Sequence, residues 1–249
     1  MASPVSTASD HPTSLPGART GRDPARAIKR GPRRLPAEVI AATQRERLFD
    51  ALVHTVAEKG YANARVSDIC TAAGVTRPAF YALFAGKEDA FLATYRHGIG
   101  VLLRLMDQAY AEAPDWRAGA RAALGVLLDV LAGVPAFAVM AVVEIDAVGP
   151  RARTERAELL GRFARFFADA PHPAGPARGE LVGAVVGGVY ATIYRYVDAG
   201  RVAELPARLP VLSYFMMAPF LGRAAAEAEL EAPVDRSAPV SAPCAEQRR

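Results

Sequence analysis

Cysteine is scarce in this chain of 249 residues, which holds only Cys70 and Cys244. Cys70 stands in a helical pattern and Cys244 in a tail rich in proline and alanine, so a disulfide framework is not expected. Neither cysteine stands at ligand spacing from a histidine, and no His-Glu-x-x-His, Gly-x-Ser-x-Gly or Walker motif occurs. We therefore predict no metal site, no cofactor and no enzyme, and expect Cys70 to act as a small buried hydrophobe.

Long apolar runs are missing as well. The longest one, from Leu181 to Tyr194, is shorter than the roughly 20 residues that a helix needs to span a bilayer. The first residues contain no apolar segment of the signal-peptide type. We therefore expect a cytoplasmic protein that has no membrane partner.

Alternation with period two is absent over any length that would indicate a strand, whereas helical spacing recurs throughout the chain. The sequence therefore predicts an all-α fold. Pro219 is expected to kink or interrupt the last helix. Apart from two short helices between residues 65 and 84, helices are predicted over 36–59, 87–113, 116–132, 135–147, 151–169, 179–199 and 207–229.

The segment from Arg65 to Phe91 is the most informative part of the chain. Its apolar residues recur one helical turn apart, and Gly74 stands where the first of the two short helices ends. Two short helices joined by a tight glycine turn are typical of a helix-turn-helix, whose second helix lies in the major groove of DNA. The apolar positions are Ile69 and Ala73 in the first helix, Val75 in the turn, and Phe80 and Phe84 in the second helix.

A set of residues in this segment follows a known family pattern: Asp68-Ile69-Cys70, Ala73-Gly74-Val75-Thr76, Tyr81, Phe84 and Lys87-Glu88. With them the chain resembles the tetracycline-repressor (TetR) family of transcriptional regulators over roughly residues 38–95. The resemblance implies an N-terminal three-helix DNA-binding domain that contains the helix-turn-helix, here 37–95, and a C-terminal helical domain for effector binding and dimerisation, here 96–230. It also implies a homodimer that binds DNA and releases it when a small molecule binds.

Side chains on the outer face of the helix-turn-helix are the predicted DNA contacts. Thr76 is expected to cap the second helix or bind a phosphate, and Arg77 to bind guanine or a phosphate. The pair Pro78-Ala79 departs from the family pattern, and the Ala79 methyl group is left to contact thymine. The predicted set is Ser67, Thr76, Arg77, Pro78, Ala79, Tyr81 and Lys87.

Two members of this set, Tyr81 and Lys87, match family positions that hold the DNA backbone. The resemblance therefore implies the same role here. The alternatives are that Tyr81 packs inward and that Lys87 is merely solvated.

Positive charge is concentrated in the first 36 residues, which hold seven basic and two acidic residues. Region 37–95 holds six basic and seven acidic residues, so bulk charge cannot supply its DNA affinity. Because segment 1–36 lacks periodicity and is rich in Pro, Ser, Thr and Gly, we predict a disordered basic arm. The arm either follows DNA, in the minor groove or along phosphates, or is a solubilising leader. Residues 231–249 are predicted to form a disordered tail.

Aromatic and methionine side chains in the middle helices are the candidate lining of an effector pocket. At helical spacing such residues are also typical of a plain core, which is the alternative. Glu144 stands in an otherwise apolar stretch, and a buried carboxylate needs a partner. We expect Arg121 or Arg151 to be that partner, with a cationic or hydroxylated ligand as the alternative. The candidates are Met106, Trp116, Phe137, Met140, Glu144, Phe163, Phe167 and Tyr190.

The last two predicted helices carry wide apolar stripes. On the first of them Gly183, Gly187 and Gly188 leave a small face for the close approach of another backbone, and Phe215 belongs to the second stripe. Two copies of this helix pair are expected to form a four-helix bundle across a two-fold axis. The alternative is that both stripes belong to the core of one monomer.

Taken together, these features predict a homodimeric repressor that binds a double-stranded DNA operator and is released by a small-molecule effector. A first alternative is a chain that has lost specific DNA binding and acts through protein or ligand contacts. A second is an all-α enzyme or carrier that uses the C-terminal pocket.

Overall fold

A computed structural model describes residues 14–23, 36–171 and 177–232, and every regular element within these ranges is a helix. The prediction of an all-α fold is therefore confirmed. The first four helices are α1 (Ala37–Lys59), α2 (Val66–Ala73), α3 (Arg77–Leu83) and α4 (Lys87–Ala111). The elements that follow are α5 (Trp116–Gly133), α6 (Pro135–Ala138), a π-helix (Val139–Glu144), α7 (Ile145–Val148), α8 (Pro150–Arg162), a 3-10 helix (Phe163–Phe167), α9 (Ala177–Asp198), two 3-10 turns (Val202–Glu204 and Pro206–Arg208), α10 (Leu209–Leu221) and α11 (Arg223–Glu231).

Helix α1 packs against α2, α3 and α4 in the N-terminal domain. Its buried residues recur at helical spacing and include Leu48, Leu52 and Val56. The helix ends at Gly60, whose φ of 74° lies in the left-handed region that glycine adopts without strain. The Gly60 N–H donates to the Val56 carbonyl at 2.9 Å, which closes the last turn.

Helices α2 and α3 form the helix-turn-helix in the predicted register. Helix α2 ends at Gly74, which has a φ of 60°, and the Val75 N–H donates to the Cys70 carbonyl at 3.0 Å. Helix α3 then begins with a side-chain cap, because the Thr76 hydroxyl accepts the Ala79 N–H at 3.4 Å. Cys70 is buried, as expected of a small hydrophobe.

Aromatic packing fixes α3 on the body of the domain. Phe80 is fully buried and Phe84 nearly so, and their ring centroids lie 5.5 Å apart. Phe84 also approaches Phe49 of α1, at 6.0 Å between centroids. Because burial of one such side chain stabilises a fold by about 1.5–3 kcal/mol, the inner face holds α3 in one orientation and leaves its outer face to solvent.

Helix α4 continues from the N-terminal domain into the C-terminal one and packs on both α1 and α5. Gly98 permits a close approach between α4 and α6. A Cβ atom at this position would lie 2.2 Å from Cε2 of Phe137, whose ring is fully buried. The predicted boundary between residues 95 and 96 falls inside this continuous helix and stays a prediction.

Helix α5 and the segment Pro135–Val148 meet at a bend of 106°. Pro135 occupies the first turn of α6, where its missing N–H needs no partner. Within the described ranges no single helix is long and apolar enough to cross a membrane. Among the described helices, the bent pair of α5 and Pro135–Val148 is the one candidate by length and apolar composition.

The segment predicted as one helix over 135–147 contains the π-helix Val139–Glu144 at its centre. The residues on both sides keep right-handed helical dihedral angles, so the wider turn leaves the apolar pattern intact and the sequence did not indicate it. The helix predicted over 151–169 also changes type, because α8 ends at Arg162 and tightens into the 3-10 helix Phe163–Phe167.

The last predicted helix, 207–229, is divided into α10 and α11. Helix α10 continues through Pro219 to Leu221, and the interruption falls at Gly222, which has a φ of 80°. The prediction was that Pro219, which lacks an N–H donor, kinks or interrupts the last helix. The interruption lies at Gly222, three residues later, because glycine adopts this φ without strain.

The predicted disordered arm is wrong for residues 14–23, which pack on the N-terminal domain. Leu15 is buried, and the Gly17 N–H donates to Oδ1 of Asp50 at 2.7 Å. The Arg22 guanidinium donates to the Thr71 carbonyl at 3.1 and 2.8 Å. The physical reason is the buried Asp50 carboxylate of α1, which needs donors that this segment supplies. The basic cluster between residues 26 and 34 and the predicted tail beyond residue 232 lie outside the described residues.

Candidate nucleic-acid interface and effector cavity

The outer face of the helix-turn-helix presents most of the predicted DNA contacts to solvent. Tyr81 is 50% exposed, and Ala79 is half-buried beside the inner face. Arg77 forms no hydrogen bond or salt bridge with any residue of the described ranges. The remaining predicted contacts that are exposed are Ser67, Thr76, Arg77 and Pro78.

The N-terminus of α2 has no side-chain cap at Arg65, but Asp68 in the first turn accepts the backbone N–H of this N-cap residue. Its Oδ2 accepts the Arg65 N–H at 3.2 Å and lies 3.2 Å from Nζ of Lys59. The hydrogen bond from Lys59 and the one from the Arg65 backbone lower the pKa of the Asp68 carboxyl. The carboxylate therefore stays ionised and caps the helix next to the predicted DNA surface.

The Lys87 ammonium is neither unpartnered, as expected of a phosphate contact in the absence of DNA, nor merely solvated, which was the alternative. Its Nζ donates to the Tyr61 carbonyl at 2.7 Å and to the Ala64 carbonyl at 2.9 Å. The ammonium also lies 4.1 Å from the centroid of the Tyr61 ring, and desolvation lowers its pKa. Two of its three N–H donors are thus directed at the loop between α1 and α2. Its role at DNA stays a prediction.

An apolar cavity of about 100 Å³ lies inside the C-terminal domain, between α4, α5, α8, α9 and the π-helix. Trp116, Met140 and Glu144 do not belong to its wall. Whether this cavity binds an effector stays a prediction. The candidates that line it are Met106, Phe137, Phe163, Phe167 and Tyr190.

Trp116 and Met140 are core residues. The Trp116 indole N–H donates to the Phe166 carbonyl at 2.9 Å, and its ring packs at 5.7 Å from that of Phe220. Met140 is fully buried within the π-helix. The spacing of aromatic and methionine residues did not distinguish the side chains that face the cavity from those that fill the core.

Glu144 has a different partner from the predicted one. Its Oε2 accepts the backbone N–H of Tyr61 at 2.6 Å, so this carboxylate joins the π-helix to the loop that follows α1. Arg121 instead donates to Glu229 at 2.8 Å, and Arg151 is exposed on α8. The expected pair with Arg121 or Arg151 is therefore wrong, because a backbone donor 83 residues away satisfies the carboxylate.

Two tyrosines, Tyr95 and Tyr190, contribute hydroxyl-bearing side chains to the otherwise apolar wall of the cavity. The Tyr190 hydroxyl donates to the Val142 carbonyl of the π-helix at 3.0 Å, and burial raises its pKa. Tyr95, which was not among the candidates, also lines the cavity; its hydroxyl is buried without a hydrogen-bond partner in the described chain. Its position on the apolar face of α4 was the only signal in the sequence. Among the described residues no three His, Cys, Asp or Glu side chains are grouped closely enough to hold a metal ion.

Helices α2 and α3, with the exposed outer face of α3, define a helix-turn-helix that is followed by a C-terminal helical region. Residues 48–94 match the profile of the family described as bacterial regulatory proteins, tetR family. Within these residues the chain is similar to this family, as the resemblance predicted.

One segment of the chain is also similar to a characterised regulator. Over 65 residues it is 32% identical to the fatty acid metabolism regulator protein of Bacillus subtilis (strain 168). This match covers 26% of the present chain and 34% of the relative, so the chain spans about a third of the length of that relative. The similarity therefore covers only a minor part of either chain.

Two solved structures share the fold over both domains. The fatty acid degradation regulator FadR from Bacillus halodurans superposes with a TM-score of 0.63 at 19% identity, over 78% of this chain and 98% of that one. The transcriptional regulator FadR from Bacillus subtilis, solved in complex with stearoyl-CoA, has a TM-score of 0.60 at 19% identity, over 70% of this chain and 97% of that one. At such identities the likeness establishes the fold alone.

Proposed function

We propose that this protein is a homodimeric repressor that binds a double-stranded DNA operator and leaves it when a small molecule with an apolar chain enters the C-terminal cavity. Because its target is genomic DNA, it works in the cytoplasm. The observation that carries the proposal is the face of α3, where Thr76, Arg77 and Tyr81 are exposed while Phe80 holds the helix from behind. This is the arrangement that places side chains against base edges and phosphates in the major groove.

The chemistry of the cavity supports an apolar ligand. Its wall is built from Leu, Ile, Val, Ala, Met, Phe and Tyr side chains. Two similar structures are fatty acid regulators, and one of them holds stearoyl-CoA. At about 100 Å³ the cavity is smaller than the roughly 300–1,000 Å³ of pockets that hold small molecules, so a long chain must separate its helices. Ligand entry is thereby coupled to a change in helix packing.

A short path leads from the cavity to the DNA-binding domain. Ala141 and Val142 of the π-helix form part of the wall, and Glu144 at its end holds the Tyr61 N–H. The carbonyl of Tyr61 in turn accepts the ammonium of Lys87, at the start of α4. A ligand that displaces the π-helix shifts this junction and with it α3. A coupling of about 1–3 kcal/mol, or roughly 5- to 150-fold in operator affinity, is sufficient for release.

An exposed apolar face on α9 and α10 supports the homodimer. On α10, Val211 is 48% and Phe215 is 43% exposed, one helical turn apart. On α9, Gly183 and Gly187 are exposed at the same spacing, with no heavy atom within 4 Å of the positions that their Cβ atoms would take. A second copy placed across a two-fold axis covers both faces and completes a four-helix bundle.

Val211→Glu is expected to dissociate the dimer. Two-fold symmetry brings the new carboxylate against an apolar surface of the partner, and we expect dimerisation at least about tenfold weaker, which is about 1.4 kcal/mol. Sedimentation equilibrium at several protein concentrations measures the change. Val39→Glu, at an equally exposed valine near the start of α1, is the matched control and should remain dimeric. A Val211→Glu protein as dimeric as the wild type would remove α10 from the interface.

The proposal as a whole is tested with the wild-type protein and the DNA upstream of its own gene. We expect a retarded complex in a mobility-shift assay, with an affinity that falls as salt rises because phosphate contacts release counterions. Footprinting should protect two half-sites about 34–36 Å apart, the separation of recognition helices in a symmetric dimer. Binding that is absent, or that shows no dependence on salt, would contradict the proposal.

A further inference from the structure

A polar groove runs between α4 and α8, beside the apolar cavity. Helix α8 contributes one of its faces, and α4 contributes Tyr95, Arg96 and Ile99. The volume of the groove is about 530 Å³, within the range of roughly 300–1,000 Å³ typical of ligand sites. The α8 residues that line it are Arg151, Thr154, Glu155, Glu158, Leu159 and Arg162.

The groove and the cavity share one wall. Tyr95, Ile99 and Leu159 line both spaces. The cavity is apolar throughout, whereas the groove is lined mainly by charged side chains. The two spaces therefore lie side by side, an apolar inner one and a polar outer one, with these three side chains between them. An amphipathic molecule that displaces these side chains would fit both spaces.

The hydroxyl group of Tyr95 lies at this junction without a partner. The residue is 2% exposed, and its hydroxyl oxygen makes no hydrogen bond within the described chain. A buried hydroxyl that lacks a partner destabilises the folded protein, so a structural role does not explain it. A ligand oxygen at the junction would accept its hydrogen bond.

Positive charge predominates in the groove. Arg96 donates twice to Glu155, at 2.9 and 2.7 Å, so these two charges neutralise each other. Arg151 and Arg162 are exposed and form no salt bridge within the described ranges, while Glu158 is the other carboxylate. The two arginines are eleven positions apart on α8, about 16 Å at the helical rise. An anionic head can therefore contact an arginine near either end of the groove.

We propose that the α4–α8 groove binds the anionic head of an acyl ligand whose chain occupies the cavity. The Tyr95 hydroxyl donates a hydrogen bond to the acyl oxygen where chain and head meet, and Arg162, one turn beyond Leu159, binds the anionic group. A fatty acid carboxylate and an acyl-CoA share this chemistry. The inference rests on the proposed function, because it takes the cavity to be the effector site.

The first test compares wild type with Tyr95→Phe, using stearate and stearoyl-CoA as probes in isothermal titration calorimetry. Loss of the hydrogen bond is expected to weaken binding of stearoyl-CoA, whose thioester oxygen is neutral, about threefold to tenfold, and binding of the charged stearate by more. The melting temperature of the ligand-free variant should be unchanged or higher, since the hydroxyl has no partner to lose. A lower melting temperature together with unchanged affinity would show that Tyr95 is only structural and would overturn the inference.

The second test compares Arg162→Gln with Arg153→Gln, an exposed arginine of α8 that does not line the groove. Arg162→Gln should weaken binding of a probe at least about threefold at low salt, and less at high salt, because screening reduces the contribution of the charge. The control should bind like the wild type. If Arg162→Gln weakens the binding of stearoyl-CoA more, the anionic head is that of an acyl-CoA. If it weakens the binding of stearate more, the head is the carboxylate of a free fatty acid.

The same protein preparations are tested for DNA binding, so that the two proposals fail separately. If wild type binds upstream DNA but neither probe, the groove inference is overturned and the DNA-binding proposal stands. Equal affinities of wild type, Tyr95→Phe and Arg162→Gln for both probes would overturn it as well. If no DNA is bound, the proposed function fails whatever the probes do.

Discussion

Arg77→Ala is expected to reduce operator affinity by at least about fivefold per half-site, and more in the symmetric dimer. Arg77 is the first residue of α3, it is exposed, and no residue of the described chain binds its guanidinium. A bidentate arginine contact to guanine contributes about 1–3 kcal/mol of discrimination, and a dimer makes it twice. Fluorescence anisotropy with labelled upstream DNA, at one fixed salt concentration, measures the loss.

Two further measurements on Arg77→Ala distinguish the two roles predicted for Arg77, which are binding a base and binding a phosphate. If the guanidinium binds a base, Arg77→Ala should relax specificity at one operator position, measured by competition with single-base variants. If it binds a phosphate, affinity should fall equally for all sequences and the salt slope should decrease by about one. Arg104→Ala, an exposed arginine of α4 in the C-terminal domain, is the control. An Arg77→Ala protein with wild-type affinity would rule out α3 as the recognition helix in this orientation.

The helix-turn-helix was predictable because its determinants are local. Gly74 ends α2 through its own φ, and Thr76 caps α3 through an N–H three residues away. Phe80 and Phe84 are buried one turn apart, as their spacing indicated. Each of these features depends on residues within one or two turns, so the sequence carries them without reference to the rest of the fold.

The partners of the charged residues were not predictable, because they are distant in sequence and are backbone groups. Lys87 binds carbonyl oxygens 26 and 23 residues earlier, and Glu144 binds an N–H 83 residues earlier. Any residue type can supply a backbone carbonyl or N–H, so side-chain identity gives no signal for such a bond. For Glu144 the need for a partner was predicted, and only the partner differed.

The composition of the N-terminal segment predicted disorder, whereas the groups that bind residues 14–23 are distant from them in sequence. Residues 14–23 are polar and lack periodicity, which is typical of disorder, yet Gly17 and Arg22 bind the N-terminal domain. The buried Asp50 on α1 was the available signal, since a carboxylate on an inner helix face requires donors from elsewhere. Gly17 also suits the site for a steric reason, because a Cβ atom there would lie 2.5 Å from Cγ1 of Val53.

The loop between α1 and α2 makes polar contacts with the π-helix and with the start of α4. The Tyr61 N–H donates to the Glu144 carboxylate, and the Tyr61 carbonyl accepts a hydrogen bond from the Lys87 ammonium. The Tyr61 ring packs edge-on against that of Phe91, with 5.3 Å between the ring centroids. The junction thus links the π-helix of the cavity wall, the end of α1 and the start of α4. If ligand entry displaces the π-helix, this is the first part of the N-terminal domain to respond.

Glu144→Ala is therefore expected to uncouple ligand binding from DNA release. With the carboxylate gone, stearoyl-CoA should still bind, but the resulting loss of operator affinity should fall from the expected 5- to 150-fold range toward no change. The variant should also be less stable by about 1–3 kcal/mol, because the Tyr61 N–H loses its acceptor. Anisotropy titrations with and without the ligand measure the coupling, and denaturant unfolding measures the stability.

Two controls distinguish coupling from a general loss of structure. Glu180→Ala removes an exposed carboxylate of α9 and should leave release intact, whereas Glu144→Gln keeps an oxygen acceptor for the Tyr61 N–H and should retain part of the coupling. Coupling is reciprocal, so bound operator should weaken ligand binding in the wild type but not in Glu144→Ala. A Glu144→Ala protein that the ligand releases as fully as the wild type would place the connection elsewhere, with α4 itself as the remaining continuous element between the cavity and α3.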